Sequence, residues 1–197
     1  MTESPSAPPA VALQRALALH EQGELGQAED LYREILRVQP GHADALHFLG
    51  VAALQRGQAG AAADWIGQAI RIDPANPASH YNLGIALDSL QRTAEALISF
   101  DRALALRPQY VEALNNRGLA LQRLRRYEDA LTSFDQALAL NPDGAEILNN
   151  RGNVLRNLKR ADEALASYDR ALAFNPDYVD ALSNRGDLLQ KRRRYDE

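Results

Sequence analysis

The stretch VEALNNRGLALQRLRRYEDALTSFDQALALNPDG, residues 111–144, decides how this chain folds, because most of it comes round again. The next 34 residues, AEILNNRGNVLRNLKRADEALASYDRALAFNPDY, keep the glycine, most of the alanines and the closing Asn-Pro-Asp. Working outward, Gly50, Gly84, Gly118, Gly152 and Gly186 fall 34 residues apart, and Pro40, Pro74, Pro108, Pro142 and Pro176 keep the same interval. A period of that length holds two short helices and two turns, yet is too short to bury a core of its own. The units must bury one another. Function is then expected on the surface that stacking creates.

Inside the quoted unit, Leu114, Gly118 and Leu121 mark one helical face, and Ala130, Phe134 and Ala137 mark another. Arg125 and Arg126 separate the two helices, and Pro142 ends the second because proline cannot continue it. Basic residues close the first helix and acidic ones (Glu128, Asp129) open the next, which complements both macrodipoles. The same exchange occurs at Lys159 and Arg160 with Asp162 and Glu163, and at residues 192–194 with Asp196 and Glu197. Gly118 and Ala130 are expected where the hairpin's helices cross closely, with Phe134 filling the gap between units. Tyr32, Phe100 and Tyr168 take the aromatic's place elsewhere. Ile66 does so in the second unit, with Trp65 beside it, and Ala16 replaces the glycine in the first. Aligning the glycines gives units 9–42, 43–76, 77–110, 111–144 and 145–178, and a truncated sixth over 179–197, after a disordered leader at 1–8.

Composition sets limits. Apolar residues make up 46% of the 197 and aromatics 6%, which suits close helix packing more than a sheet core. A net charge of -4 supplies no basic field for nucleic acid or an anionic membrane. Without cysteine there is neither a disulfide nor a thiolate metal site. No apolar run reaches a membrane span, and residues 11–19 are broken by Gln14 and Arg15, which spoils them as a signal-peptide core. The reading is a soluble, cytoplasmic protein.

Glycine or alanine at the eighth position of each unit, alanine at the twentieth (Ala28, Ala62, Ala96, Ala130, Ala164), an aromatic at the twenty-fourth and proline at the thirty-second resemble the tetratricopeptide repeat. Alanine at the twenty-seventh (Ala69, Ala103, Ala137, Ala171) completes the pattern, and the match spans residues 9–197. The resemblance implies an all-α fold: a right-handed solenoid of antiparallel hairpins whose first helices line a concave groove for peptides or partner proteins. The sequence departs from the family in lacking tryptophan at the fourth position and in placing Arg117, Arg151 and Arg185 at the seventh. These arginines are expected to bury their stems and present guanidinium groups at an edge.

The sixth position of each first helix points away from the packed fourth, eighth and eleventh, and four consecutive units place asparagine there: Asn82, Asn116, Asn150 and Asn184. An amide carries a donor and an acceptor, so a ladder of them suits the main chain of an extended peptide. Asn115, Asn149, Asn153 and Arg123 share that face, as do Glu112, Glu146, Asp180, Ser183 and Asp187. The competing role is structural, with the amides bonding between adjacent helices. Toward the N-terminus the face turns apolar (Leu13, Leu17, His47, Val51, Leu54, Ile85), with Phe48 and Tyr81 the preferred contacts for a partner. Trp65 is read chiefly as a packing residue, with a dimer contact as its alternative role.

The asparagine ladder is also similar to that of the repeat arrays preceding the catalytic domain of O-linked N-acetylglucosamine transferases and their bacterial relatives, through Leu114 to Gly118 and Leu148 to Gly152. That resemblance implies a second role, a substrate-recruiting arm of a larger enzyme. The family's clamp for a C-terminal carboxylate is excluded, since no unit has lysine at the fifth position and acids (Asp44, Glu112, Glu146, Asp180) hold the second. No catalytic residue, cofactor or metal site is read here: His20, His42, His47 and His80 lack one-turn pairing, and each repeated glycine sits inside a helix, not in a phosphate loop. The basic turns sit beside acids and lack interleaved aromatics, against nucleic acid. The sequence stops three residues into the expected second helix of the sixth unit, leaving Leu182, Leu188 and Leu189 uncovered, so a fragment of a longer protein is expected. The truncated unit and the Trp65 region are the two places where copies of the chain would meet. The expected partner is a protein or peptide.

Overall fold

The computed structural model describes residues 8–196, with side chains through Lys191. Most of the leader read at 1–8 lies outside the described residues, as do Glu197 and the side chains of the last charge exchange. Among the described residues every regular element is an α-helix. The chain divides into two compact units, Met1–Leu106 and Arg107–Glu197. The first holds α1 (Pro9–Glu21), α2 (Leu25–Val38), α3 (Ala43–Gln55), α4 (Ala59–Ile72), α5 (Pro77–Ser89) and α6 (Thr93–Leu106). There α1 pairs with α2, α3 with α4 and α5 with α6, and α2 on α3 and α4 on α5 join the hairpins. The second holds α7 (Val111–Arg123), α8 (Tyr127–Leu140), α9 (Ala145–Asn157), α10 (Ala161–Phe174) and α11 (Val179–Asp196), packed in the same order, with α7 also touching α9 and α9 touching α11. Each unit is a solenoid of helix hairpins. No helix among the described residues is long and apolar enough to cross a membrane.

The hairpin crossing rests on three positions. Ala28, Ala62, Ala96, Ala130 and Ala164 are all fully buried, as the close approach of two helices requires. A Cβ built on Gly118 would lie 2.6 Å from Cε1 of Phe134, and Gly84 and Gly152 are covered in the same way by Phe100 and Tyr168. Phe134 therefore fills the space its own unit's glycine leaves open. Gly50 accepts Ile66 instead, so an aliphatic side chain serves where the aromatic is missing.

The first helices of the five complete hairpins end alike. Backbone N–H groups of Glu24, Gln58, Arg92, Arg126 and Arg160 donate at 2.8–2.9 Å to carbonyls five residues back, closing a six-residue Schellman turn. The residue before each is left-handed: Gly23 (φ 81°), Gly57 (72°), Gln91 (62°), Arg125 (58°) and Lys159 (64°). Glycine is expected there, and three units do without it. Lys159→Gly and Arg125→Gly should each raise the unfolding free energy in urea by about 0.5–1 kcal/mol, since the strain relieved exceeds the entropy glycine adds to the unfolded chain. A loss of stability would contradict this.

In the second unit the arginines at the seventh position are partly exposed and bond to side chains of second helices. Arg117 donates to Ser133 Oγ at 2.6 Å, and Arg151 donates to Ser167 Oγ and to Asp135 Oδ1, both at 2.7 Å. Arg185 reaches back to Asp169. Arg151 thus fastens α8 to α10, the second helices of adjacent hairpins. The sixth hairpin also departs from expectation, because α11 runs unbroken to Asp196 where a turn was read at 192–194. Good helix formers continue a helix unless a partner rewards the break. Leu182 is accordingly 49% exposed, but Leu188 is buried, against the expectation that it would be uncovered.

Candidate functional site

The exposed face of α7, α9 and α11 in the second unit carries the amides, and their hydrogen bonds run in fixed directions. Glu146 can only accept, so Asn115 turns Nδ2 toward its Oε1 at 3.2 Å. That leaves Asn115 Oδ1 to accept from Nδ2 of Asn150, also at 3.2 Å. A second relay begins at Arg156, which can only donate: its Nη1 reaches Oδ1 of Asn184 at 3.3 Å, and Asn184 Nδ2 donates to Oδ1 of Asn149 at 3.0 Å. A hydrogen bond from Asn149 to the Tyr178 phenol ends it. Asn153 accepts from the Tyr168 hydroxyl at 2.9 Å. Asn115 and Asn149 are buried, while Asn116, Asn150 and Asn184 are half-buried.

The sixth-position amides thus lie between repeats as well as on the face. Asn150 and Asn184 each bond the fifth-position amide one hairpin earlier, the structural role that the sequence left open. An open cleft of about 460 Å³ lies over them, lined by Leu119, Glu146, Asn149, Asn150, Tyr178 and Asp180 among others. Among the described residues Asp180, Ser183 and the carbonyl oxygen of Asn150 have no hydrogen-bond partner, and no cation pairs with Glu146. Burial raises the Tyr178 pKa above 10.0, the negative charges of Glu146 and Asp180 raise it further, and the bond from Asn149 opposes them. Arg123 and Asn116 lie on α7 and are engaged by other groups, Arg123 exposed at the helix end.

In the first unit the corresponding positions on α1, α3 and α5 are apolar and only half-exposed. Phe48 stacks on Tyr32 at 6.1 Å between ring centroids, with His20 at 6.4 Å and His47 at 5.0 Å, so it closes the edge of the core as well as facing outward. Tyr81 lies against Phe100 at 6.1 Å. Asn82, beside it on α5, is half-buried. His47 is buried, unlike a groove residue; it shares a 2.9 Å hydrogen bond with Ser79, and burial holds its pKa below 6.5 against the pull of Asp44. Trp65 packs from α4 onto the core of the first hairpins and borders a shallow hollow with Leu36, Pro40 and Leu46. No group of three His, Cys, Asp or Glu residues gathers as a metal ion requires among the described residues.

Tyr178 escaped the sequence reading because it precedes its helix, at a position held by His42, Asn76, Tyr110 and Gly144 in the other units. The repeat of tyrosine two units apart was the available signal. The polarity of the relays had none, since it depends on which side chains meet.

A sequence profile of the tetratricopeptide repeat matches residues 13–77 and 115–179, and a second profile of that description matches 77–110. The chain belongs to the tetratricopeptide repeat family, a fold of protein-interaction scaffolds. Among solved structures it is similar to YrrB, described as a TPR protein with an unusual peptide-binding site, at 25% identity and a TM-score of 0.79 over 89% of this chain and 90% of that one. It is similar also to TTC0263, a thermophilic TPR protein of Thermus thermophilus, at 25% identity and a TM-score of 0.69, covering 93% and 100%. MamA shares the fold at 20% identity, with a TM-score of 0.77 over 83% and 96%. No curated protein sequence matches.

Proposed function

We propose that this chain is a binding scaffold whose second unit holds an extended stretch of a partner polypeptide in the cleft over α7, α9 and α11. The observation that carries the reading is the pair of polarised amide relays. They orient Asn150 and Asn184, one repeat apart, and leave the Asn150 carbonyl facing a cleft that Asp180 also lines. Groups fixed before binding lose little entropy on capture, which favours a weakly structured ligand. A peptide-binding site in YrrB agrees with this use of the fold.

Partner capture by the full chain tests it. The double substitution Asn116→Ala and Asn150→Ala should abolish capture while the helical circular dichroism is unchanged. Melting should fall modestly, because Asn115 Oδ1 loses its donor at a cost of about 1 kcal/mol. Undiminished capture by the double variant would remove the cleft from the account.

A further inference from the structure

The cleft's chemistry narrows what it holds, and this inference rests on the reading just given. Two repeats before Tyr178, the equivalent Tyr110 carries the guanidinium of Arg107 over its ring, 4.5 Å from the centroid. Glu112, two residues on, acts on Tyr110 from nearby, raising its pKa where Arg107 lowers it. There the protein places its own guanidinium over the ring, with the Glu112 charge acting on the same phenol. At the later repeat Tyr178 stands for Tyr110 and Asp180 for Glu112, but Asn175 stands for Arg107. The ring and the carboxylate are kept and the cation is missing.

Among the described residues no other cation lines the cleft. Glu146 and Asp180 both act on Tyr178, and among the described residues neither forms an ion pair. Arg156, the cation nearest in the relays, gives one Nη1 hydrogen bond to Asn184 and forms no ion pair with either carboxylate among the described residues. Among the described residues Asn150 Oδ1, the Asp180 carboxylate and the second Glu146 oxygen are acceptors without a partner, against the donors of Ser183 and Asn153 Nδ2. Two carboxylates and a tyrosine lining one cleft suit a planar or compact cation with several N–H donors. We infer that the cleft recognises a basic side chain, arginine before lysine, on the bound polypeptide, with Tyr178 stacking on it and Asp180, Glu146 and Asn150 accepting its hydrogen bonds.

The test is calorimetric titration of the full chain with three acetylated, amidated octapeptides of glycine and serine, carrying two arginines, two citrullines or two glutamates. The arginine peptide should bind at least about fivefold more tightly than the citrulline peptide, and the margin should shrink with added salt. Asp180→Asn and Tyr178→Leu should each weaken the arginine peptide by about three- to fivefold and leave the citrulline peptide unchanged, while Tyr178→Phe, which keeps the ring, should retain the preference. Equal affinity for arginine and citrulline, or preference for glutamate, overturns the cation inference and leaves the cleft standing as a peptide site. Failure of all three peptides to bind overturns both.

Discussion

Replacing Phe134 with alanine should lower the stability of the second unit by about 3–5 kcal/mol, the usual cost of removing a buried aromatic ring. The ring is fully buried and rests on Gly118, where even a Cβ would come within 2.6 Å of it. Once the ring is gone, glycine offers nothing to refill the space, and Ala130 and Ala137 on the neighbouring turns are too small to collapse into it. Hairpins in a solenoid are stabilised by their neighbours, so the loss should extend beyond α7 and α8 to the packing of α9 on α8. Urea denaturation followed by circular dichroism would measure it, against a typical domain stability of about 5–15 kcal/mol. The reverse substitution, Gly118→Leu, should overpack the crossing at a cost of about 1–3 kcal/mol. Combining it with Phe134→Ala should recover part of the loss. At Gly186 a Cβ would meet no atom within 4 Å, so Gly186→Ala should be neutral or stabilising. Equal effects at the two glycines would refute this account of the crossing.

Asn149→Ala should destabilise the chain by about 1–3 kcal/mol even though it removes only a small side chain. Asn149 is 4% exposed, accepts from Asn184 and bonds Tyr178, so its loss leaves a donor and a phenol without their partner at the seam of α9 and α11. Leucine of similar size should do no better, because the cost lies in the unmet hydrogen bonds. The side-chain amide signal of Asn184 should move in nitrogen-15 NMR spectra, and Arg156 should lose the arrangement it shares with that amide. A neutral effect on melting would mean the relay holds nothing together.

The fold was legible because packing leaves marks in residue size. Gly118, Ala130 and Phe134 must be small, small and large wherever two helices cross, and a fixed interval repeats the demand. The left-handed cap was hidden because Gln91, Arg125 and Lys159 occupy a conformation usually marked by glycine. The two partners of Arg151, one on each neighbouring second helix, carried no mark in the sequence. In the same way the asparagines could be assigned to a face by periodicity, but not to a bond. Whether Asn150 grips a ligand or its neighbour depends on the side chain one repeat away, and sequence spacing carries no hydrogen-bond direction. Tyr178 and Asp180 needed the comparison with Tyr110, Glu112 and Arg107, in which one side chain is missing.

The central claim is that the face of the first helices, rather than that of the second, is where another polypeptide lies. Nitrogen-15 NMR of the full chain titrated with the two-arginine peptide addresses it most directly. Shifts are expected over residues 146–153 and 178–184, including the side-chain amides of Asn150 and Asn153, with residues 128–140 and 162–174 unmoved. Shifts confined to α8 and α10 would contradict the account.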